Sequence, residues 1–132
     1  MSFNYLRAVA ASIDKLITYN NPVVVKTIVP LTVTPSTITG VQLQQADFYV
    51  NAAGDFTINL PTATDILNSF PFEGVGNTIS VRVIVQTGAM VMLSAGAGYT
   101  ISGATAGTKF TSSFIMTFHI DGVIPSQVSC YV

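Results

Sequence analysis

Charged side chains are scarce in this chain: five Lys and Arg and six Asp and Glu among 132 residues, about a third of the usual share in soluble domains. The five basic residues, Arg7, Lys15, Lys26, Arg82 and Lys109, lie far apart. A nucleic-acid surface, which needs clustered Lys and Arg, is therefore not expected. There is one cysteine, Cys130, which excludes an intrachain disulfide and reads as a small buried apolar side chain. One histidine and one cysteine do not make a zinc site, and no cofactor is expected. No run of about 20 apolar residues is present, so no helical membrane span is expected. At the start Asn4, Arg7, Ser12 and Asp14 interrupt the apolar residues, so no secretory leader is expected either.

What the chain has instead is apolar residues, 49% of the total, spread through alternating runs. The central stretch, Asp55 to Gly103, shows this best. Phe56, Ile58 and Leu60 alternate with Thr57 and Asn59, the period of a half-buried strand. Thr62 with Asp65 three residues on predicts the start of a short helix over 63–69, burying Ile66, Leu67 and Phe70. After the Gly74-Val75-Gly76-Asn77 turn, Ile79, Val81, Val83 and Val85 point one way and Ser80, Arg82, Ile84 and Gln86 the other. Phe48 and Val50 are expected to face Phe56 and Ile58 across a hairpin at Ala52-Ala53-Gly54-Asp55. The whole reads as an antiparallel meander with one helix across an end of the sheet.

Residues 2–19 carry Phe3, Leu6, Ala10, Ile13 and Ile17 at spacings of three and four, one apolar stripe on a helix that Ser2 can cap. Such a helix is seldom stable alone in water; it packs on its own domain, or it docks into a partner or bundles with copies of itself. Asn20-Asn21-Pro22 stops it. The β-branched run that follows contains Pro30 and Pro35, which suits an edge strand or an arm along a neighbour. Near the C-terminus Phe114, Met116, Phe118 and Ile120 are expected inward, then Val128, Cys130 and Val132 on a last strand. The fold class expected is all-β: an antiparallel sandwich or jelly-roll-like domain of about eight strands with one short helix. Its organisation is a helix over 1–21, an extended arm over 22–40 and a head over 41–132.

Catalytic constellations are weak. His119 and Asp121, two apart on a strand, share a face and suit an oriented base, but no Gly-x-Ser-x-Gly elbow supplies a nucleophile. Asp47, Asp55, Asp65 and Glu73 are mostly turn-adjacent, where Asp serves local hydrogen bonding. Gly96-Ala97-Gly98 lacks the lysine and helix of a phosphate loop. An enzyme is not expected.

Leu60-Pro61-Thr62-Ala63, Ile66-Leu67, Gly76-Asn77, the valine-rich run Ile79 to Val85, and the Gly96 to Gly103 segment, GAGYTISG, occur in that order. This succession, across residues 48–122, resembles the β-rich head modules of fibre, spike and capsid-associated proteins of large DNA viruses and some phages. The resemblance implies a non-enzymatic virion component, a homotrimer that contacts other capsid or fibre proteins through its N-terminal helix and arm. An uncharged, β-branched surface suits an obligate interface. Arg82, Ile84, Met90 and Met92 are the expected subunit contact, and Phe3, Leu6, Ile13 and Ile17 the expected docking residues. The rival reading is a lectin-like or adhesin-type module that recognises host glycans through loops, with Tyr99 and His119 as its candidate residues.

Overall fold

Alternating runs joined by short corners can fold back as hairpins or step between two facing sheets, and here most of them step. The structure is a computed structural model that describes residues 26–69, 75–104, 107–122 and 127–132. The helix expected over 2–19, with Phe3, Leu6, Ile13 and Ile17, lies outside the described residues, as does Phe70.

In chain order the elements are β1 (Thr27–Leu31), β2 (Ser36–Thr37), α1 (Gly40–Gln45), β3 (Ala46–Val50), β4 (Gly54–Asn59), α2 (Ala63–Ser69), β5 (Thr78–Val85), β6 (Ala89–Ser94), β7 (Ile101–Ser102), β8 (Phe114–Gly122) and β9 (Gln127–Tyr131). The larger sheet, A, has the order β1-β3-β5-β8-β9-β7, and the smaller, B, the order β2-β4-β6. Strands β1, β3 and β5 are parallel neighbours, as are β2, β4 and β6. The first six strands thus form three stacked coils, each with one strand in either sheet. The ladder continues round the corners: Asn51 N–H donates to the Leu31 carbonyl (3.0 Å), Gln86 N–H to Val50 (3.2 Å) and Gly54 N–H to Gly88 (2.8 Å). Strand β8 then adds antiparallel to β5, β9 antiparallel to β8, and β7 pairs parallel with β9.

The expected all-β antiparallel sandwich is thereby corrected. Sheet A mixes parallel and antiparallel strands, sheet B is wholly parallel, and there are two helices among the described elements. The hairpin expected between Phe48-Val50 and Phe56-Ile58 is not formed: Phe48 pairs beside Val83 in sheet A, and Phe56 beside Val91 in sheet B. Alternation reports which face is buried but not which way the neighbouring strand runs. A parallel neighbour needs a long connection, and here that connection is itself a strand of the other sheet, with α2 added between β4 and β5.

The core lies between the sheets. Phe48, Val81, Val83, Met116 and Phe118 come from A, and Phe56, Ile58 and Val91 from B, all essentially inaccessible, and no polar side chain is buried among the described residues. Helix α2 begins where its cap predicts, with Asp65 N–H donating to Thr62 Oγ1 (3.1 Å). The Asp65 carboxylate itself reaches the N-terminus of α1, accepting from Gly40 N–H (2.8 Å). That helix is not among the elements expected from sequence, yet it carries a full capping box: Gln42 N–H to Thr39 Oγ1 (3.2 Å) and Thr39 N–H to Gln42 Oε1 (3.0 Å).

Cys130 is buried on β9 and burial pushes its thiol up to about 12. At pH 8 the native protein is therefore expected to ignore a thiol reagent such as Ellman's, and to react once only after denaturant unfolds it. Stoichiometric reaction of native protein within minutes would contradict this burial.

Candidate interaction surface

Strand alternation leaves the outer face of sheet A with Asp47 and Tyr49 from β3, Ser80, Arg82 and Ile84 from β5, Ile115, Thr117 and His119 from β8, and Ser129 and Tyr131 from β9. Register sets them side by side: Tyr49 beside Ile84, Arg82 beside Ile115, Ser80 beside Thr117, Thr117 beside Tyr131, His119 beside Ser129. Ile115 and Tyr131 are 53% and 51% exposed, which is high for large apolar side chains on strands paired on both sides. Their neighbours are held by polar ties. Lys26 lies 3.7 Å from the Asp47 carboxylate and donates to the Ser80 carbonyl. Asp47 Oδ1 also accepts from the Arg82 main-chain N–H (2.9 Å), and the Ser80 and Thr117 hydroxyls are 3.1 Å apart. Burial of the Lys26 ammonium lowers its pKa, with Asp47 opposing the shift. Lys26, Asp47, Ser80, Arg82 and Ile115 together line a shallow depression of about 190 Å³. Among the described residues the Arg82 guanidinium has no ion pair.

Met90 and Met92 are elsewhere. They sit half-buried on β6, beside Asp55 and Thr57 of β4, on the outer face of sheet B. The four residues expected as one contact are thus split between opposite faces of a two-layer domain. Sheet B's face carries an ion pair at its end, Lys109 Nζ to Asp55 Oδ1 at 2.9 Å.

Tyr99 and His119 are also separated. The Tyr99 ring meets Phe118 edge-on, 6.2 Å between centroids and 81° between planes, and its hydroxyl donates to the Pro61 carbonyl (2.7 Å). Burial raises the pKa of that hydroxyl well above the ordinary tyrosine range. Phe118 lies on the inner face of β8 and His119 on the outer, so the two expected ligand residues do not share a surface.

His119 Nδ1 lies 2.7 Å from Asp121 Oδ1, and the Ser129 hydroxyl donates to the other carboxylate oxygen. The carboxylate, not the imidazole, holds the serine, so the three side chains lack the nucleophile-to-base order of a hydrolytic triad. Ser129 first, and His119 second, hold the Asp121 carboxyl below the usual carboxylate range. With the folded value below the unfolded one, Asp121 contributes its stability fully above the ordinary carboxylate range and loses it as pH falls through the folded value. In an NMR titration the Asp121 carboxyl midpoint is expected below the ordinary aspartate value, and is expected to rise in Ser129→Ala. An unmoved midpoint in that variant would remove the serine as the main cause.

A second concavity, about 380 Å³, lies between the end of β6, the start of β7 and the segment after it. Leu93, Ile101 and Phe110 form its apolar part, and among the described residues no charged side chain lines it. Among the described residues no group of three or more His, Cys, Asp or Glu side chains is placed to hold a metal ion, and no helix is long and apolar enough to cross a membrane. No family model matches the chain, and no curated protein or solved structure matches it either.

Proposed function

We propose that this chain is a non-enzymatic structural protein of a virus particle, a spike or fibre head, decoration or minor capsid component, that assembles with copies of itself as a homotrimer. The virion assignment rests on the resemblance of residues 48–122. The self-assembly rests on one observation: the outer face of sheet A presents Ile115 and Tyr131 largely exposed, with Tyr49 and Ile84 between strands and Arg82 unpaired among the described residues. Apolar aromatic and aliphatic side chains with an Arg, rimmed by hydroxyls, are the composition of an interface core rather than of a solvated face.

A ring of three joins two different surfaces of each copy, and both must incline toward one axis. Opposite outer faces of a two-layer domain do not meet that condition, so the contact is assigned to sheet A, whose margins are turned relative to each other by about 20–25° per strand step. Lysine substitutions on the two faces separate the possibilities in sedimentation velocity at fixed concentration. Ile115→Lys and Tyr131→Lys are expected to yield a folded monomer, whereas Met90→Lys and Met92→Lys leave the assembly intact. The reverse pattern would move the contact to sheet B and overturn the assignment.

A further inference from the structure

Strand β6 is an edge of sheet B, with β4 as its only neighbour among the described strands. Successive residues of a strand turn their main chain to opposite sides. Ser94 gives its carbonyl to Leu60 N–H (2.9 Å), on the β4 side. Val91 turns the other way: its N–H donates to the Phe110 carbonyl (2.9 Å) and its carbonyl accepts from Phe110 N–H (2.8 Å). Leu93, two residues on, therefore presents its own N–H and carbonyl to the Phe110 side. No described residue pairs with them there, because Val91 with Phe110 is an isolated bridge and the chain beside it leaves the edge. The concavity of about 380 Å³ opens at this place, lined by Leu93, Thr108 and Phe110.

Its walls define what fits. The open N–H and carbonyl of one strand residue match those of one residue in another extended chain. That residue, standing opposite Leu93, carries its side chain on the same face as Leu93 and Phe110, among Leu93, Ile101 and Phe110. The Phe110 ring is stacked on Phe114, 4.2 Å between centroids and 27° between planes, and the small residues Ala104 and Gly107 leave room beside it. Lys109, next to Phe110 in the chain, is tied to Asp55 at 2.9 Å, and no described lining residue is charged. A charged side chain would sit there without a partner, whereas an apolar one is matched.

We propose that this edge binds a short extended peptide, which continues the pairing of β6 past Phe110 and sets one apolar side chain in the concavity. The two neighbouring residues of the peptide point to the opposite face, where polar side chains are tolerated. Main-chain pairing supplies the affinity and the cavity the selectivity. The inference does not rest on the copy–copy contact, which uses the outer face of sheet A.

The test titrates the isotope-labelled full chain with the capped tripeptide acetyl-Thr-Leu-Thr-amide. The Leu93 amide signal is expected to shift saturably at millimolar peptide, with Ala104 and Phe110 following, while Thr117 and His119 on the outer face of sheet A stay unmoved. Methylating the central nitrogen of the peptide removes the donor to the Leu93 carbonyl and is expected to weaken binding roughly tenfold. Aspartate in place of the central leucine is expected to abolish it. Thr100→Trp, which fills the concavity from an exposed lining position, is expected to abolish it too, with an unchanged denaturation midpoint. An unmoved Leu93 signal, equal affinity for the methylated or the aspartate peptide, or undiminished binding by Thr100→Trp would overturn the proposal. Equal shifts with methyl glucoside would overturn it as well, because the concavity would then be taking a sugar rather than a main chain.

Discussion

Replacing Gly96 by alanine is expected to lower the unfolding free energy by roughly 3 kcal/mol, at the upper end of what a single added methyl costs in a packed site. The reason is local and rigid. A β-carbon at Gly96 would lie 2.1 Å from the Pro61 carbonyl oxygen, 2.5 Å from its carbon and 2.8 Å from the Thr62 nitrogen. All three are main-chain atoms, and they are pinned from both sides. Leu60 N–H donates to the Ser94 carbonyl and Ala63 N–H to the Ala97 carbonyl, both at 2.9 Å, and the Tyr99 hydroxyl bonds the same Pro61 carbonyl. The Leu60-Pro61-Thr62-Ala63 and Gly96-Ala97-Gly98-Tyr99 segments are therefore two halves of one junction, joining the start of α2 to the end of sheet B. Gly76 is the control. It has a positive φ of 96° but open space around its α-carbon, so Gly76→Ala costs only backbone strain, about 1 kcal/mol. Denaturant midpoints at fixed protein concentration compare the two; equal shifts would mean that the junction is not rigid.

The second large effect is in the core. Phe56→Ala is expected to cost about 3–5 kcal/mol, the sum of lost transfer energy and an unfilled cavity. Phe56 is inaccessible in the middle strand of sheet B, with Val91 on its register partner. Met92→Ala, on the same sheet but its outer face and half-buried, is expected below about 1 kcal/mol. The ratio between these two substitutions reports which face of β6 and β4 is the core face. Comparable costs would place sheet B differently from the arrangement described.

How far the sequence speaks can be seen in these same residues. Period-two alternation correctly assigns the inward faces of β4, β5 and β8, because burial acts residue by residue along one strand. It places Phe56 inward but gives it the wrong neighbour. Corners as short as 51–53 and 86–88 suit a hairpin equally well, and only long-range pairing decides that they step to the facing sheet. Met90 and Met92 fall on a different sheet from Ile84 for the same reason. Parity counted from Ile84 holds along β5 but does not carry round the corner into a different sheet. Helix α1 was legible in Thr39 and Gln42, three apart, and was masked by the β-branched run before it and the strand residues after it. The glycines of the GAGYT segment suggest tight turns. Their actual use, admitting the Pro61 main chain, requires knowing what packs against them. On the outer face of sheet A, Arg82 and Ile84 can be read off the outward side of β5, while Ile115 and Tyr131 join them only through the β5–β8–β9 register. The apolar Ile115 next to polar Thr117 and His119 on one face was the available signal.

The measurement that bears most directly on the central claim is the solution mass of the unmodified chain by light scattering after size exclusion, across a dilution series. The account predicts a discrete species at three times 13.9 kDa that gives way to monomer in Ile115→Lys. A monodisperse monomer at every concentration would contradict self-assembly through the face of sheet A, and with it the structural role proposed for this protein.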